Sequence, residues 1–266
     1  MKIATWNVNS LRVRLPQVLD WIQEKQPDVL CLQETKVPDD DFPLAACRDA
    51  GYHVAFSGQK AYNGVATLSR APMAAVTSVF PDYVDGQKRL LMVTVDDLRV
   101  LNVYVPNGQE VGSDKYAYKL DWLKALRRLI ALELKTYPKL VLLGDFNIAP
   151  QPRDVHDPAA WEGQVLFSAP ERAAFQTLVD AGLEDVFRGF DQPENSFSWW
   201  EYRAGAFRRN HGLRIDHILA SAGLSARCRA CTIDMAPRAL ERPSDHAPVL
   251  AEIDLGQQVV ERIPLP

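Results

Sequence analysis

Short apolar runs alternate along the chain with segments whose apolar residues recur at helical spacing. This alternation favours an α/β fold, in which strands and helices pack as separate layers. The runs that predict strands cover residues 2–6, 28–32, 52–56, 65–69, 90–95, 98–105, 140–143, 213–219, 227–235 and 248–253. Helices are predicted over 16–25, over 115–134 and from Ser168 towards Gly182.

The predicted helices carry recognisable boundary signals. Over 115–134, leucine and isoleucine recur every three or four positions, which is the apolar face of a packed helix. Pro16 is suited to the first turn of the helix over 16–25, where its missing N–H costs nothing. Ser168 and Glu171 have the spacing of a capping box, so we expect a helix to begin at that point.

The composition is that of a globular chain with a sizeable core. The chain has 266 residues, of which 47% are hydrophobic. No apolar run approaches the roughly 18 residues of a membrane span, and the N-terminus lacks the pattern of a signal peptide. We therefore expect a monomeric cytoplasmic protein without a membrane partner. One domain is predicted over 1–256, followed by a C-terminal tail over 257–266.

Cysteine content and charge limit the classes of chemistry. Cys228 and Cys231 form an isolated CxxC without a second pair at metal-ligand spacing, so four reduced thiols are expected rather than a zinc site. The net charge of −4 lacks the overall basic character of many nucleic-acid binders. A local patch still suffices for an enzyme that contacts only a few phosphates. The candidate arginines are Arg203, Arg208, Arg209, Arg214, Arg238 and Arg242.

Polar residues of the kind that bind metal or phosphate follow several predicted strands. A carboxylate alone at a strand end is explained by a turn or a cap, but five such positions together indicate a site. Oxygen ligands dominate the set, which favours Mg²⁺ or Mn²⁺ over zinc. The positions are Asn7, Glu34, Asp145 with Asn147, Asp216, and the pair Asp245 and His246, which precedes the last strand.

Seven motifs make the chain resemble the exonuclease III family of abasic-site endonucleases. They are WNVNSLR, LQETK, YVPNG, LLGDFNIAP, FSWWEYR, LRIDHILAS and PSDHAPV, in the family's order between Lys2 and Asp254. WNVN and SDH alone would indicate only the wider endonuclease/exonuclease/phosphatase superfamily. That superfamily includes deoxyribonuclease I, sphingomyelinases and inositol-phosphate phosphatases. The remaining motifs are more specific.

The resemblance implies a four-layer α/β sandwich, in which two packed mixed β-sheets are flanked by helices. It also implies a Mg²⁺-dependent phosphodiesterase of base excision repair, with Mn²⁺ as a substitute. The implied substrate is double-stranded DNA with abasic sites or blocked 3′ ends. Such an enzyme cuts 5′ to the abasic site and has 3′-phosphodiesterase, 3′-phosphatase and variable 3′→5′ exonuclease activity.

The resemblance also implies residue roles. Asp145 would activate water or protonate the leaving group, and Asp216 would hold His246, which would donate to a phosphate oxygen. The implied metal ligands are Glu34, Asn7 and Asp245. The implied catalytic residues are Asp145, His246, Tyr104, Asn147 and Asp216. The implied substrate contacts are Asn107, Trp199, Leu213, Ile215 and Arg203, with His156 as a weaker candidate.

Three other functions are compatible with parts of this pattern. One is an exonuclease-specialised relative with weak abasic-site activity. A second is a non-catalytic nucleic-acid-binding regulator, which is disfavoured because no metal or acid residue is missing. A third is a phosphatase or phospholipid diesterase, which the segments around Trp199 and Asp216 disfavour. The sequence leaves open the endonuclease–exonuclease balance, the number of metals, and whether Asp145 or His246 is the base.

Overall fold

The computed structural model describes residues 1–256, and the predicted tail at 257–266 lies outside the described residues. The strands are β1 (Lys2–Asn7), β2 (Val29–Gln33), β3 (His53–Ser57), β4 (Val65–Ser69), β5 (Met73–Thr77), β6 (Leu90–Val95), β7 (Leu98–Tyr104), β8 (Leu140–Asp145), β9 (Leu183–Asp185), β10 (Asp216–Ser221), β11 (Cys228–Ile233) and β12 (Val249–Ile253). The α-helices are α1 (Leu11–Lys25), α2 (Leu44–Asp49), α3 (Asp114–Thr136), α4 (Pro158–Trp161), α5 (Ala169–Val179) and α6 (Ala222–Ser225).

The strands of residues 1–256 form two six-stranded mixed sheets. The first sheet has the order β11-β12-β1-β2-β4-β3, and the second has the order β5-β6-β7-β8-β10-β9. The pairs β1–β2 and β7–β8 are parallel, and the other neighbours are antiparallel. Parallel and antiparallel pairs therefore occur in both sheets, as the predicted sandwich requires.

Four layers bury the apolar face of every major element. Side chains from the facing surfaces of the two sheets form the central core. Helices α1 and α2 cover the outer face of the first sheet, and α3 and α5 cover that of the second. Strand β1 is therefore buried on both faces: Ile3 belongs to the central core, while Ala4 and Trp6 belong to the core beneath α1 and α2. A strand buried on both faces needs apolar residues at successive positions, which explains the continuous apolar runs.

The structure corrects the predicted start of α1. The helix begins at Leu11, so Pro16 lies inside it rather than in its first turn. The helix starts early because two backbone hydrogen bonds fix its first residues to the loop after β2. Ser10 N–H donates to Glu34 O, and Leu11 N–H donates to Thr35 O. Pro16 removes one helical N–H, whose acceptor would have been the carbonyl of Arg12.

Other predicted boundaries also differ. Strand β10 begins at Asp216, whereas Leu213 forms isolated bridges with Val155 and Trp199 outside the sheet. Strands β5 and β9 and helix α2 were not predicted, because these short segments lack a clear apolar period. Within residues 1–256, no helix combines the length and apolar character needed to cross a membrane.

A buried polar network joins the two sheets near the ends of β2 and β7. Gln33 Nε2 donates to Asn102 Oδ1 at 2.8 Å and to Thr5 Oγ1 at 2.9 Å. Asn102 Nδ2 donates to the carbonyls of Leu32 and Ala66 at 3.2 and 2.9 Å. Gln33, Asn102 and Thr5 are fully buried, so each donor and acceptor needs its protein partner. The network therefore constrains how the sheets face each other.

We expect Asn102→Ala to lower the free energy of unfolding by about 2–4 kcal/mol, because it leaves the Gln33 amide and two carbonyls buried without their partner. Urea denaturation followed by circular dichroism measures this change. Gln23→Ala, at an exposed position of α1, is the control and should stay within about 0.5 kcal/mol of the wild type. Equal stability of the two variants would contradict the role of the network.

Candidate active site

Strand register gathers the candidate residues at one end of the sandwich. Asp145 at the end of β8 is directly paired with Tyr104 of β7 on one side and with Asp216 of β10 on the other. In the first sheet, Asn7 at the end of β1 is paired with Gln33, and Glu34 follows immediately. The two sheets therefore bring their polar strand ends to a common site.

The Asp145 carboxylate accepts three hydrogen bonds. The carboxylate is 1% exposed. Its Oδ1 accepts from Asn147 N–H at 2.8 Å, and its Oδ2 accepts from Asn7 Nδ2 at 2.8 Å and from Asn147 Nδ2 at 3.3 Å. Asn7 Nδ2 also donates to Glu34 Oε1 at 2.9 Å. One amide thus connects the carboxylates contributed by the two sheets.

Asp216 and His246 form a second buried pair beside Asp145. His246 Nδ1 lies 2.8 Å from Asp216 Oδ2, and His246 Nε2 lies 3.7 Å from Asp145 Oδ2. Ser198 Oγ donates to Asp216 Oδ2 at 2.7 Å and accepts from the N–H groups of Ile215 and Asp216. Asp216 holds the Nδ1 side of the ring, so the Nε2 side faces Asp145.

The three groups shift one another's protonation. Burial raises the pKa of Asp145 to about 7, the Asp216 carboxylate adds to the rise, and His246 opposes it. Burial alone would lower the pKa of His246, but the carboxylates of Asp216 and Asp145 raise it to about 10. Near neutral pH, His246 is therefore cationic while Asp145 can exchange a proton.

Glu34 lies at the more accessible edge of the site. Its side chain is 19% exposed, and its Oε2 is 2.9 Å from the ammonium of Lys36. Glu34 and Lys36 have φ values of 49° and 55°, in the left-handed region that non-glycine residues rarely adopt. Backbone bonds hold them, since Thr35 N–H donates to Gly64 O and Lys36 N–H donates to Asn63 O. Strain held in this way is typical of functional loops.

Tyr104 and Asn107 approach the site from the end of β7. Burial raises the pKa of Tyr104 well above its ordinary value, and Glu34 and Asp145 add to the rise. Its hydroxyl is therefore a neutral donor. Asn107 is exposed, and its Nδ2 donates to Asn147 Oδ1 at 3.0 Å. It also lines a cavity of about 640 Å³ together with Asn63 and Arg89.

Both carboxylate oxygens of Asp245 accept hydrogen bonds from side chains of the protein. Its Oδ1 accepts from Asn9 Nδ2 at 2.9 Å, and its Oδ2 accepts from Trp199 Nε1 at 3.0 Å. Burial would raise the pKa of Asp245, but His246 and these donors lower it. Asn7 presents its amide nitrogen, not its oxygen, to Glu34 and Asp145, while its Oδ1 accepts from Asn9 N–H. In this geometry Asn7 and Asp245 position their neighbours, and metal ligation would need their bonds to change.

The predicted sugar-binding residues lie in one apolar cluster. Leu213 and Ile215 are fully buried in it, and Trp199 packs against it and is partly buried. Their cluster also contains Ala149, Val155, Leu166 and Phe167. Trp199 is therefore the member of the predicted trio that presents surface, with Leu213 and Ile215 behind it.

Two predicted DNA contacts differ in exposure from the carboxylate cluster. Arg203 is exposed on the loop before β10, whereas the carboxylates of Asp145 and Asp216 are buried. His156 stacks on His211 with ring centroids 4.7 Å apart and takes no part in the carboxylate cluster. Arg214 is not part of the expected basic patch, because it is buried and ion-paired with Asp154 and Asp185.

Several residues at the site had no role in the sequence analysis. Ser198 fixes Asp216, Lys36 pairs with Glu34, and Arg89 lies over the Tyr104 ring at 4.6 Å from its centroid. Ser198 and Lys36 do lie inside motifs that were noted, FSWWEYR and LQETK. Arg89 has no sequence signal, because its contact with Tyr104 depends on the pairing of β6 with β7.

Comparison with known proteins agrees with this fold. A family model described as the Endonuclease/Exonuclease/phosphatase family matches residues 4–246. The chain is 39% identical over 265 residues to "Exodeoxyribonuclease III" of Haemophilus influenzae, covering 95% of this chain and 99% of that one. It is 35% identical over 255 residues to "Exodeoxyribonuclease" of Bacillus subtilis, covering 94% and 98%.

Solved structures show the same similarity in three dimensions. The 3′ phosphatase NExo from Neisseria, bound to a product DNA hairpin, superimposes with a TM-score of 0.93 at 47% identity, covering 96% of this chain and 99% of that one. An AP endonuclease from Archaeoglobus fulgidus superimposes with a TM-score of 0.92 at 40% identity, covering 96% and 100%. This chain belongs to the endonuclease/exonuclease/phosphatase family and, within it, to the exonuclease III family.

We expect Asp216→Asn to lower the pKa of His246 by roughly 1–3 units, because the carboxylate that favours the cationic ring is gone. An NMR titration of the imidazole nitrogens measures it. The raised folded-state pKa means that His246 contributes stability that is fully present below pH 6.5 and is lost as pH rises through about 10. In Asp216→Asn this loss should occur at lower pH.

The control for this titration is Asp254→Asn, at an exposed carboxylate bonded to Arg229. It should leave the His246 titration unchanged. An unaltered His246 pKa in Asp216→Asn would contradict the assigned pairing.

Proposed function

We propose that this protein is a DNA-repair nuclease that incises the backbone 5′ to abasic sites and processes blocked 3′ ends. It also removes nucleotides in the 3′→5′ direction. The names of its relatives, an exodeoxyribonuclease III, a 3′ phosphatase and an AP endonuclease, support this set of activities. One observation carries the proposal: Asn7 Nδ2 donates hydrogen bonds both to Glu34 Oε1, at 2.9 Å, and to Asp145 Oδ2, at 2.8 Å. It joins a carboxylate suited to a cation with one suited to proton transfer.

The donor set fits a divalent metal with hard-oxygen preference, and Mg²⁺ is the proposed ion, with Mn²⁺ as a substitute. Glu34 is the proposed principal ligand, because it is partly exposed and already holds the Lys36 ammonium on Oε2. Asn7 and Asp245 are proposed to assist. Among residues 1–256, the ligand atoms of Asp145, Asp216 and His246 also lie within 4.8 Å of one another. The cationic His246 makes that group a weaker metal site than Glu34. When bound by these residues, such an ion would stabilise the negative charge that develops on the phosphate.

The side chains supply the proton transfers and the remaining charge stabilisation. Asp145, with a pKa near 7, is proposed to accept a proton from the attacking water, held in place by Asn147. His246 is cationic and is therefore proposed to donate from Nε2 to a phosphate oxygen rather than to act as base. The neutral hydroxyl of Tyr104 and the amide of Asn107 are proposed as further phosphate donors.

Recognition of the damaged nucleotide is proposed to use the apolar cluster. Trp199 would contact the sugar, with Leu213 and Ile215 behind it. A sugar without its base suits an apolar contact, and extrusion costs least where base pairing is already lost. Arg203 is proposed to bind a phosphate from its exposed loop, with His156 as a weaker DNA contact. Local contacts of this kind do not need an overall basic chain. We propose that the protein acts as a monomer in the cytoplasm.

An exonuclease-specialised enzyme is the second candidate function. A Neisseria protein that is 47% identical and superimposes with a TM-score of 0.93 is named a 3′-5′ exonuclease. Both functions use the same carboxylates and histidine. They differ in whether a nucleotide inside a duplex is accepted, so activity on an internal abasic site separates them.

The deciding experiment uses three end-labelled duplexes: one with a single abasic site, one undamaged, and one with a 3′-phosphate. We expect incision 5′ to the abasic site and release of the 3′-phosphate, both dependent on Mg²⁺ and restored by Mn²⁺ after chelation. Processing of 3′ ends without abasic incision would assign the exonuclease-specialised function. Tight DNA binding without turnover would assign a regulator. Turnover of sphingomyelin or inositol phosphates, with abasic DNA intact, would assign a phosphatase or phospholipid diesterase.

We expect Asp145→Asn to reduce kcat for abasic incision by at least about 10²-fold, because the proton-transfer group is lost. Glu34→Gln should instead raise the Mg²⁺ concentration needed for half-maximal rate. Steady-state kinetics over a Mg²⁺ series measures both effects. Asp191→Asn and Glu194→Gln, at exposed positions of the loop before Trp199, are the matched controls and should behave as wild type. Near-wild-type incision by Asp145→Asn would remove it from the mechanism.

A further inference from the structure

Lys119 is a fully buried lysine on α3, directly behind the active-site loops. Its ammonium has three hydrogens and three acceptors. It donates to Asn107 O at 3.0 Å, to Asn147 O at 2.7 Å and to Glu171 Oε1 at 2.5 Å. Every donor of the ammonium is thus used within the protein.

The three acceptors belong to three separate segments that border the site. Asn107 follows β7 and Asn147 follows β8. Glu171 lies in the first turn of α5, where its Oε1 accepts from Leu166 N–H at 3.0 Å and its Oε2 accepts from Ser168 N–H at 3.1 Å. Leu166 belongs to the apolar cluster behind Trp199. One cation therefore ties together two polar loops and the segment that lines the apolar cluster.

Stability alone does not account for this arrangement. A buried ion pair is often no more stable than apolar residues of the same volume, because both ions lose their hydration. Burial lowers the pKa of Lys119, and the Glu171 carboxylate opposes the effect. A second ion pair, between Arg99 of β7 (3% exposed) and Glu133 of α3 (17% exposed), also anchors α3, but its contacts are with Ala75, Thr94 and Tyr137 rather than with the site.

The carbonyls of Asn107 and Asn147 connect Lys119 to the Asp145 carboxylate. Asn147, held through its carbonyl, donates its backbone N–H to Asp145 Oδ1, and its side-chain Oδ1 accepts from Asn107 Nδ2. The same ammonium fixes the backbone of both asparagines. Loss of the ammonium would leave the loops after β7 and β8 without their shared support.

We propose that Lys119 is a positioning residue for the phosphodiesterase reaction, setting Asn107 and Asn147, and through them Asp145, in the geometry that the transition state requires. The inference rests on the proposed function. Positioning errors of about 1 Å can lower a rate by about 10²-fold, so loss of this support is expected in kcat more than in KM.

The test uses abasic-site incision kinetics to compare two ion pairs that anchor α3. Lys119→Met is the direct variant. Lys119→Met with Glu171→Gln is the second, because removing both charges leaves no uncompensated buried ion and keeps the chain foldable. The matched control is Arg99→Met with Glu133→Gln. Melting temperatures are measured for all variants, and rates are taken well below them.

We expect the Lys119 variants to lose at least about tenfold in kcat, with KM within about threefold of wild type, and the Arg99 control to keep wild-type kcat despite a similar fall in melting temperature. A folded Lys119 double variant with kcat within twofold of wild type would falsify the proposal. So would an equal kcat loss in the control, which would indicate a general stability effect. Failure of the wild type to incise the same substrate would instead contradict the proposed function.

Discussion

Burial of the Asp145 carboxylate is the constraint on which the site depends. A carboxylate with 1% exposure needs hydrogen bonds or a nearby cation, and it has both. Asn7 comes from the first sheet, Asn147 from the loop after β8, and His246 from the segment before β12. Each donor that stabilises the charge also fixes the group's direction. The same contacts therefore stabilise the fold and hold Asp145 in the geometry that its proposed proton transfer needs.

The face-to-face packing of the sheets determines the chemistry as much as any residue. Asn7 ends a strand of the first sheet and Glu34 follows another, whereas Tyr104, Asp145 and Asp216 belong to the second sheet. Neither sheet alone holds both the proposed cation-binding edge and the proposed proton-transfer group. A layered core between two sheets is rigid and close-packed, so it keeps the two halves in register at the ångström level.

Polar groups that support the site extend well behind it. Gln33 and Asn102 join the sheets beneath the strand ends, and Lys119 lies behind two of the active-site loops. Buried polar networks contribute less to stability than apolar packing does, but each member has few alternative arrangements. They specify geometry, which a metal-assisted hydrolase needs more than additional stability.

The sequence alone determined the alternation of strands and helices that defines an α/β fold, and the resemblance of its motifs to the exonuclease III family implied the four-layer sandwich and most of the site residues. Continuous apolar runs predict strands buried on both faces, and polar residues after Trp6, Gln33 and Gly144 predict a site at the strand ends. Tertiary structure decided what no local pattern encodes. Pro16 lies inside α1 because the loop after β2 fixes the start of the helix. The role of Ser198 is recognised only from its hydrogen bond to Asp216. Lys119 resembles any other helix lysine in the sequence, and only the structure shows its three acceptors. The physical reason is that local spacing sets which side chains share a face, whereas burial, pKa and partners depend on segments more than a hundred residues apart, such as Asn7 and Asp145.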